Sequence, residues 1–381
     1  MRIHLIRTHH SHWGHHSGIH QYIAHTDPDR FQFDVQEIEM GDGSFPITNK
    51  WLRYGIKGLV RLQSSRVYGL NDLLAEIAAG RQWWQGQIDL LHYLDAEHSL
   101  QFLPGLFHRF QSLKPRTPVV ATFHQPPSRL DPLLSPRSIR HLDRVVVLAP
   151  EQYDYFARHL PPGRVSQILH GIDTGFFRPA SPPPTHQGFR CISVGSWLRD
   201  YDAVLQVADR LQSQPEFEFH IVSRTVSVPA HLSNVQLHTG LDDEELRTLY
   251  QGADVLFLPV TDATANNALL EGIACGLPVV STALPSIAAY VPETAAILIQ
   301  DNAPDMLADA LLRLYRAPGL RASMGRCARE RALELSWEQI ARQYEALYLE
   351  MVSQSRSGPG NNFQQMAGDP GPRESRMPGK G

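Results

Sequence analysis

Short apolar runs alternate with longer stretches of helical periodicity along most of the chain, and this alternation strongly limits the possible folds. Each run is bounded by polar turn residues, as is typical of strands buried on both faces of a parallel sheet. Parallel strands need crossover connections, which the helical stretches can supply. The pattern therefore predicts an α/β fold with a parallel sheet in each half. The predicted strands are 3–6, 89–92, 119–123, 144–148, 191–194, 218–222, 235–237, 255–258, 278–281 and 296–299.

Two domains are expected because 381 residues exceed what one hydrophobic core usually organises. Hydrophobic residues make up 42% of the chain, which is enough for two cores. Between the halves, the segment 170–173 precedes the proline-rich stretch 179–184, a pattern that indicates a hinge followed by a stiff spacer. We therefore predict an N-terminal domain of residues 1–170, a C-terminal domain of residues 171–335, and a cleft between them.

Charge and cysteine content exclude several classes of protein. The net charge of -4 gives no overall attraction to nucleic acid, and no nucleic-acid partner is expected. The three cysteines, Cys191, Cys275 and Cys327, are far apart, which argues against a disulfide framework and favours a reducing cytoplasm. The first residues lack the apolar stretch of a signal peptide, and no window resembles a membrane span. We expect a cytoplasmic protein whose membrane contact is at most peripheral.

The end of the chain divides into helices and a tail. Apolar residues recur at helical spacing in 305–315 and 337–351, and both stretches are predicted helices. The apolar side of the second helix contains Ile340, Tyr344, Leu347 and Tyr348. Beyond Ser353 the composition turns to Gly, Pro, Ser, Gln and Arg, with little to bury. Residues 354–381 are therefore predicted to be disordered.

The most informative segment for function is 254–280, which predicts a strand, a polar loop, a short helix and a second strand. Asn266 or Asn267 can cap the helix, and the free N–H groups at its start would suit a phosphate. Glu271 projects from the same face as Asn267, where its carboxylate could accept hydrogen bonds from sugar hydroxyls. The alternative is an ordinary capped helix beside a sheet, with a solvated glutamate.

Several motifs, in the same order, resemble the family 4 retaining glycosyltransferases, or glycosyl transferases group 1. They are Leu-Leu-Glu-Gly-Ile-Ala-Cys-Gly-Leu-Pro-Val-Val at 269–280, His-Gly-Ile-Asp-Thr at 170–174 with Phe-Arg-Pro at 177–179, the segment 234–259, and Ser-Trp-Glu at 336–338. The resemblance implies a GT-B fold, in which two Rossmann-like domains face each other across a cleft. The N-terminal domain would lie on the acceptor side and the C-terminal domain would bind the nucleotide sugar. The last helix, 336–353, would cross back to the N-terminal domain.

The same resemblance implies that a sugar moves from a nucleoside diphosphate sugar to an unidentified acceptor, with retention of configuration. The acceptor would be a glycan, a lipid or a small molecule, and neither a metal nor another cofactor is expected. Glu271 would bind the ribose hydroxyls of the nucleotide. The first glutamate of the family pattern falls on Ala263, with Asp262 next to it. The segment from Thr264 to Asn267 replaces the usual Gly-aromatic-Gly turn with polar side chains that could hold sugar hydroxyls or phosphate.

The positive charges that the family places against the diphosphate are also replaced, because Ser196 and Tyr201 stand where an arginine and a lysine are usual. Arg199 and Arg224 are candidates to supply this charge, which a diphosphate leaving group needs. The alternative is that both are solvated loop arginines. These departures motivate a second hypothesis, a GT-B scaffold without turnover that binds a sugar nucleotide or a partner enzyme.

Two N-terminal elements could contribute to the cleft. His124-Gln125 follows a predicted strand at its carboxyl end and is similar to the family's His-Asp element. His124 is the candidate catalytic residue, hydrogen-bonding the donor sugar or orienting the acceptor, and an ordinary loop histidine is the alternative. Ser17-Gly18 resembles the family's glycine-rich turn, where glycine permits close backbone approach to a ligand. The histidines of 9–20 lack cysteine or carboxylate partners at ligand spacing, so no metal site is expected.

A last stretch, Lys50 to Arg66, mixes basic, aromatic and aliphatic residues. Such a stretch can lie on an anionic membrane surface, which would suit a lipid-linked acceptor. The alternative, which the sequence alone favours, is an ordinary helix of the domain with a solvated basic face.

Overall fold

The computed structural model describes residues 1–9, 15–39, 45–61, 67–110, 113, 116–134, 136–182 and 185–357. It contains two parallel sheets of six strands each. The first sheet consists of β1 (Arg2–His9), β2 (Gln32–Glu39), β3 (Leu90–Tyr93), β4 (Val119–Phe123), β5 (Arg144–Val147) and β6 (Val165–Gln167). The second consists of β7 (Phe189–Val194), β8 (Phe217–Val222), β9 (Val235–His238), β10 (Val255–Leu258), β11 (Val279–Thr282) and β12 (Ala296–Ile299).

Helices connect the strands and cover the sheets. The helices of the first half are α1 (Lys50–Arg61), α2 (Leu70–Trp84), α3 (Ala96–Ser99), α4 (Leu103–Arg109), α5 (Pro127–Leu130), α6 (Pro136–Ile139) and α7 (Pro150–Ala157). Those of the second half are α8 (Tyr201–Arg210), α9 (Asp243–Gln251), α10 (Asn267–Ala274), α11 (Pro285–Tyr290), α12 (Pro304–Arg316), α13 (Pro318–Glu334) and α14 (Trp337–Ser357). Short 3₁₀ helices cover Ile19–His25 and Gln300–Asn302.

The strand order marks where a ligand would bind. The first sheet runs β2-β1-β3-β4-β5-β6, and the second runs β12-β11-β10-β7-β8-β9. The direction of chain progression therefore reverses between β1 and β3 in one sheet, and between β7 and β10 in the other. Open parallel sheets bind ligands outside the carboxyl ends of their strands at such reversals. The loops that follow β1, β3, β7 and β10 are thus the natural places for a site.

The predicted α/β architecture is confirmed, and all ten predicted strands are present. The sequence missed β2 and β6, which form the two edges of the first sheet. β2 exposes most of its side chains, and β6 has only three residues. Neither strand therefore has the continuous apolar run that marks a buried parallel strand.

The last helix, α14, begins in the second half and packs on the first. The Tyr344 ring stacks on Tyr22 with centroids 4.2 Å apart, and Glu345 Oε1 accepts a hydrogen bond from the backbone N–H of Asp27 at 2.7 Å. These contacts match the predicted return of the last helix to the N-terminal half. The prediction that disorder starts at residue 354 is wrong for 354–357, because the helix continues to Ser357. In this last turn, the Gln354 side chain donates a hydrogen bond to Glu350 Oε1 at 2.9 Å.

The remainder of the predicted tail, 358–381, lies outside the described residues. Within the described part of the chain, no helix combines the length and apolar character that crossing a bilayer requires.

Candidate functional site

The short helix α10 lies where the second half of the molecule contacts the first, and its start is fixed by Asn266. The Asn266 side-chain oxygen accepts a hydrogen bond from the backbone N–H of Leu269 at 3.3 Å, so Asn266, rather than Asn267, caps the helix. Gly272 lets α10 lie close to β10, because a Cβ at this position would come within 2.8 Å of Leu256 Cδ2. This close packing holds the buried helix, and Glu271 with it, at the carboxyl end of the second sheet.

Glu271 is buried, with 5% of its surface exposed. Its Oε1 accepts a hydrogen bond from Ser17 Oγ at 2.7 Å, and its Oε2 accepts one from the Tyr250 hydroxyl at 2.9 Å. Burial raises the pKa of the Glu271 carboxyl above its ordinary value, although both hydrogen bonds act in the opposite direction. The alternative of a solvated glutamate is therefore wrong. Ser17 belongs to the loop after β1, so this contact joins the two halves of the molecule.

Arg199 lies in the loop after β7 and bridges to the start of α10. Its Nη2 donates to Asn266 Oδ1 at 2.9 Å, and its Nε donates to the Val194 carbonyl at 2.7 Å. Gly195 makes room for the guanidinium, since it has a φ of 101° and a Cβ there would lie 2.7 Å from Nη2. Burial lowers the pKa of Arg199, but an arginine stays charged at any ordinary pH. Arg199 is half-buried and is held by these hydrogen bonds, which a freely solvated loop arginine would not make.

Arg224 and Ser196 are placed differently. Both are exposed on loops at the same edge of the second sheet. Ser196 Oγ lies 3.1 Å from Ser223 Oγ, whereas the Arg224 guanidinium has no hydrogen-bond or ion-pair partner among the described residues. Arg224 is therefore a solvent-exposed charge, whereas the Arg199 guanidinium is held in place by hydrogen bonds.

The loop after β10 contacts the first half of the molecule. Asp262 Oδ2 accepts a hydrogen bond from Ser128 Oγ at 2.6 Å, and the Thr264 hydroxyl donates to the backbone carbonyl of His124. Between them, Ala263 is buried with 6% of its surface exposed. The second half thus meets the first through side chains on both sides of this alanine.

His124 lies at the carboxyl end of β4, beside two carboxylates that follow β3. Its Nε2 lies 2.7 Å from the Leu94 carbonyl, to which it must donate, and 3.7 Å from Asp95 Oδ1. Its backbone N–H donates to Glu97 Oε1 at 3.0 Å. The second Glu97 oxygen, Oε2, is buried without a hydrogen-bond partner among the described residues. This cluster places a histidine and two acidic side chains at the reversal point of the first sheet.

The loop that carries Ser17 and Gly18 docks on the second half. The backbone N–H of His15 donates to Asp243 Oδ2 at 2.8 Å. His16 Nδ1 lies 2.7 Å from Asp173 Oδ2, and the His16 ring stacks on another aromatic ring of the second half. Gly18 has a φ of 121°, which favours glycine at this turn. Residues 10–14 of the histidine-rich stretch lie outside the described residues. Across the part that is described, no three His, Cys, Asp or Glu side chains are grouped so as to hold a metal.

The predicted site residues therefore separate into two groups. The structure brings Ser17, Gly18, Arg199, Asn266 and Glu271 to one part of the cleft, and His124, Asp262 and Thr264 to the adjoining part. Among the described residues, no hydrogen bond or ion pair joins the side chain of Asn267, Ser196 or Arg224 to the first half of the molecule.

The sequence did not single out Tyr250, Asp95, Glu97 or Ser128. The position of Asp95 and Glu97 directly after a buried strand at a reversal point is the signal that could have found them.

Comparisons with known proteins agree with this architecture. Residues 189–317 match the family model of the glycosyl transferases group 1. The D-inositol 3-phosphate glycosyltransferase of Corynebacterium diphtheriae is 25% identical over 241 residues, which cover 55% of this chain. The chain spans only about half of that relative, 56% of its length.

Two solved structures have a similar fold over almost the whole chain. Sucrose-phosphate synthase from Thermosynechococcus elongatus superposes with a TM-score of 0.67 and 17% identity, covering 93% of this chain and 99% of its own. HepE of Anabaena, in complex with UDP and glucose, gives a TM-score of 0.61 and 13% identity, covering 90% of this chain and 98% of its own.

The two parallel sheets, the returning helix and these neighbours define the GT-B fold. The family match over residues 189–317 and the curated relative show that this part of the chain is similar to glycosyltransferases.

Proposed function

We propose that the protein transfers a sugar from a nucleoside diphosphate sugar to an acceptor, with retention of configuration. The observation that carries this proposal is the environment of Glu271, a buried carboxylate that accepts hydrogen bonds from two hydroxyl groups. One of these hydroxyls belongs to Ser17, on the opposite side of the cleft. A ribose hydroxyl could take the place of Ser17 at Glu271, exchanging one hydroxyl donor for another without leaving the carboxylate unpaired.

The start of α10 and Arg199 suit the diphosphate of such a donor. The first N–H groups of a helix attract an anion, and α10 has its cap already in place. The Arg199 guanidinium is fixed by its hydrogen bond to the Asn266 side chain, so little reorganisation is needed when charge develops on the leaving group. We assign the donor diphosphate to this place, with Thr264, Asn267, Ser196 and Arg224 at its rim.

The acceptor side belongs to His124 in this proposal. Because Nε2 of His124 is engaged with the Leu94 carbonyl, Nδ1 is the ring nitrogen that could bond to a sugar hydroxyl. Asp95 and Glu97 lie beside it and could orient the acceptor or the imidazole. The acceptor itself is a glycan, a lipid or a small molecule.

The relatives support this function in general terms. One is named for transfer to D-inositol 3-phosphate, and a structural neighbour was solved with UDP and glucose. We further propose a cytoplasmic location, because the three cysteines are all free, as is usual in a reducing compartment.

Calorimetric titration with UDP, GDP, ADP and dTDP tests the proposed donor site. Glu271→Ala is expected to weaken binding of the preferred nucleotide by about 1.5 to 3 kcal/mol, or about 10- to 150-fold, because hydrogen bonds to a charged group are lost. Glu293→Ala, which removes an exposed glutamate elsewhere in the same half, is the matched control and should bind as wild type does. An unchanged affinity in Glu271→Ala, with an unchanged unfolding temperature, would remove Glu271 from the site.

One observation favours the second hypothesis, a scaffold without turnover. The position of the family's first glutamate is the buried Ala263, and the neighbouring Asp262 is hydrogen-bonded to Ser128. The loop thus lacks a carboxylate at the position of the first glutamate, and Asp262 would have to exchange Ser128 for a sugar hydroxyl to take its role. A donor-hydrolysis assay paired with the titrations separates the two hypotheses. The scaffold hypothesis predicts tight binding of the nucleotide sugar without turnover, even when candidate acceptors are present.

A further inference from the structure

Helix α1 leaves four of its large apolar side chains exposed to solvent. The Asn49 side chain caps it by accepting hydrogen bonds from the backbone N–H groups of Trp51 and Leu52, at 3.0 and 3.2 Å. Trp51 is 87% exposed and Leu59 is 70% exposed, and Leu52 is exposed as well. Within the described part of the chain, no residue of α1 belongs to the three hydrophobic clusters.

Most of the exposed apolar side chains of α1 lie on a different side from its lysines, and the exception is Tyr54, which is 70% exposed on the lysine side. With about 3.6 residues per turn, Trp51, Leu52 and Leu59 fall on one side of the helix. Lys50 and Lys57 fall on the other. Ile56 and Val60, the other two large aliphatic residues, are half-buried and lie toward the body of the molecule. An ordinary surface helix turns its apolar side toward the core, whereas the exposed side of α1 is rich in large apolar groups.

The charge of this region also differs from that of the chain. Residues 43–71 contain five basic residues and no Asp or Glu, whereas the whole chain has a net charge of -4. A cationic segment on a protein of negative net charge attracts an anionic surface locally, although the protein as a whole does not. A partner that complements the exposed apolar side chains and the positive charge would have an anionic surface over an apolar interior.

We propose that α1 docks the protein on an anionic lipid bilayer, with Trp51, Leu52 and Leu59 inserted at the boundary between headgroups and acyl chains. Amphipathic helices that combine tryptophan and leucine on one side with lysine and arginine on the other lie in this plane. The sequence alone favoured the opposite interpretation, a solvated basic face. The exposure of Trp51 and Leu59 reverses that preference.

Docking places one edge of the first sheet near the bilayer. Helix α1 follows β2, the edge strand of that sheet, and precedes α2, where the Asn71 side chain donates to the Glu39 carbonyl at the end of β2. In chain order, α1 therefore lies between the end of β2 and the start of α2, which meet at the carboxyl end of the sheet.

Vesicle flotation with the full chain tests the proposal. Wild-type protein should float with vesicles made of equal parts of phosphatidylglycerol and phosphatidylcholine, and should bind vesicles of phosphatidylcholine alone much more weakly. The variant Trp51→Ser/Leu52→Ser/Leu59→Ser should lose at least about tenfold in apparent affinity for the anionic vesicles. The matched control Leu237→Ser/Met306→Ser removes exposed apolar side chains outside α1 and should float as wild type does.

The contrary outcomes are equally clear. The proposal fails if the wild-type protein does not float with anionic vesicles, or if the triple variant floats as well as wild type. It also fails if light scattering shows a dimer that the triple variant converts to a monomer while vesicles bind neither protein, because α1 would then be a contact between two copies. Unchanged circular dichroism and nucleotide affinity of the triple variant would establish that it is folded.

Discussion

One of the contacts that attach α14 to the first half of the molecule is a buried hydrogen-bonded cluster around the Tyr348 hydroxyl. This hydroxyl lies 2.5 Å from the Tyr22 hydroxyl and 2.7 Å from Nδ1 of His92. All three side chains are fully buried. Tyr348→Phe keeps the ring and its packing but leaves two buried polar groups without this partner.

The expected cost follows from those two groups. Each buried polar group that loses its partner costs about 1 to 3 kcal/mol, and some relaxation of the Tyr22 hydroxyl will recover part of it. We therefore expect Tyr348→Phe to lower the free energy of unfolding by about 2 to 4 kcal/mol. Tyr344, one turn earlier on α14, provides a matched control, because its buried hydroxyl interacts only with Thr122 and makes no hydrogen bond of normal geometry among the described residues. Tyr344→Phe should leave stability unchanged or raise it by up to about 1 kcal/mol.

Urea unfolding followed by tryptophan fluorescence measures both variants, since Trp337 at the start of α14 is buried. A double-mutant cycle with Tyr22→Phe should give a coupling energy of at least about 1 kcal/mol with Tyr348→Phe, because the two hydroxyls are in direct contact. Equal stabilities of the Tyr348→Phe and Tyr344→Phe variants would refute the reasoning, as would a coupling energy near zero.

Two further predictions concern the hinge and the response to acid. In a thermal unfolding assay, Gly171→Ala should destabilise the protein by more than about 2 kcal/mol, because the new Cβ would come 2.3 Å from the Trp337 ring. Gly105→Ala is the control and should be tolerated, because the nearest atom to its Cβ would be 3.7 Å away. Burial lowers the pKa of His92 to about 3 in the folded protein, whereas the unfolded chain has a pKa of about 6.5. Between these two values only the unfolded state binds the proton, so the free energy of unfolding decreases as the pH falls from about 6.5 toward 3. The stability difference between wild type and His92→Gln should narrow by about 2 kcal/mol from pH 8 to about pH 5; a difference that does not change with pH would contradict this.

The fold was predictable from the sequence because buried parallel strands carry their signal locally. The run 119–123 and the run 255–258 were located to the residue. The edge strands β2 and β6 were missed because one face or end of each is open to solvent, so that no apolar run is required there.

The site was predictable only in part, because its contacts join distant segments. Asn266 and Arg199 could be named from the short loops around them, but their mutual hydrogen bond is visible only in the structure. The contact between Ser17 and Glu271 joins residues 254 positions apart, and Tyr250 enters the same cluster from another helix. Periodicity and motif spacing describe neighbours along the chain and carry no signal for such pairs.

The interpretation of α1 shows the same limit. The sequence separates apolar from basic side chains around the helix, but it does not say which side the rest of the fold covers. In the structure, the side chains of Trp51 and Leu59 are exposed to solvent.

The central claim is that a nucleotide sugar binds in the cleft at Glu271 and is turned over there. The most direct measurement is the release of nucleoside diphosphate from a panel of UDP-, GDP-, ADP- and dTDP-sugars, comparing wild type with Glu271→Ala and with the Glu293→Ala control. The account predicts that wild type and the control release the nucleotide from at least one donor, and that Glu271→Ala is slower by about 10- to 150-fold at donor concentrations below saturation. Release at the same rate by Glu271→Ala, or tight donor binding by wild type without any release, would contradict it.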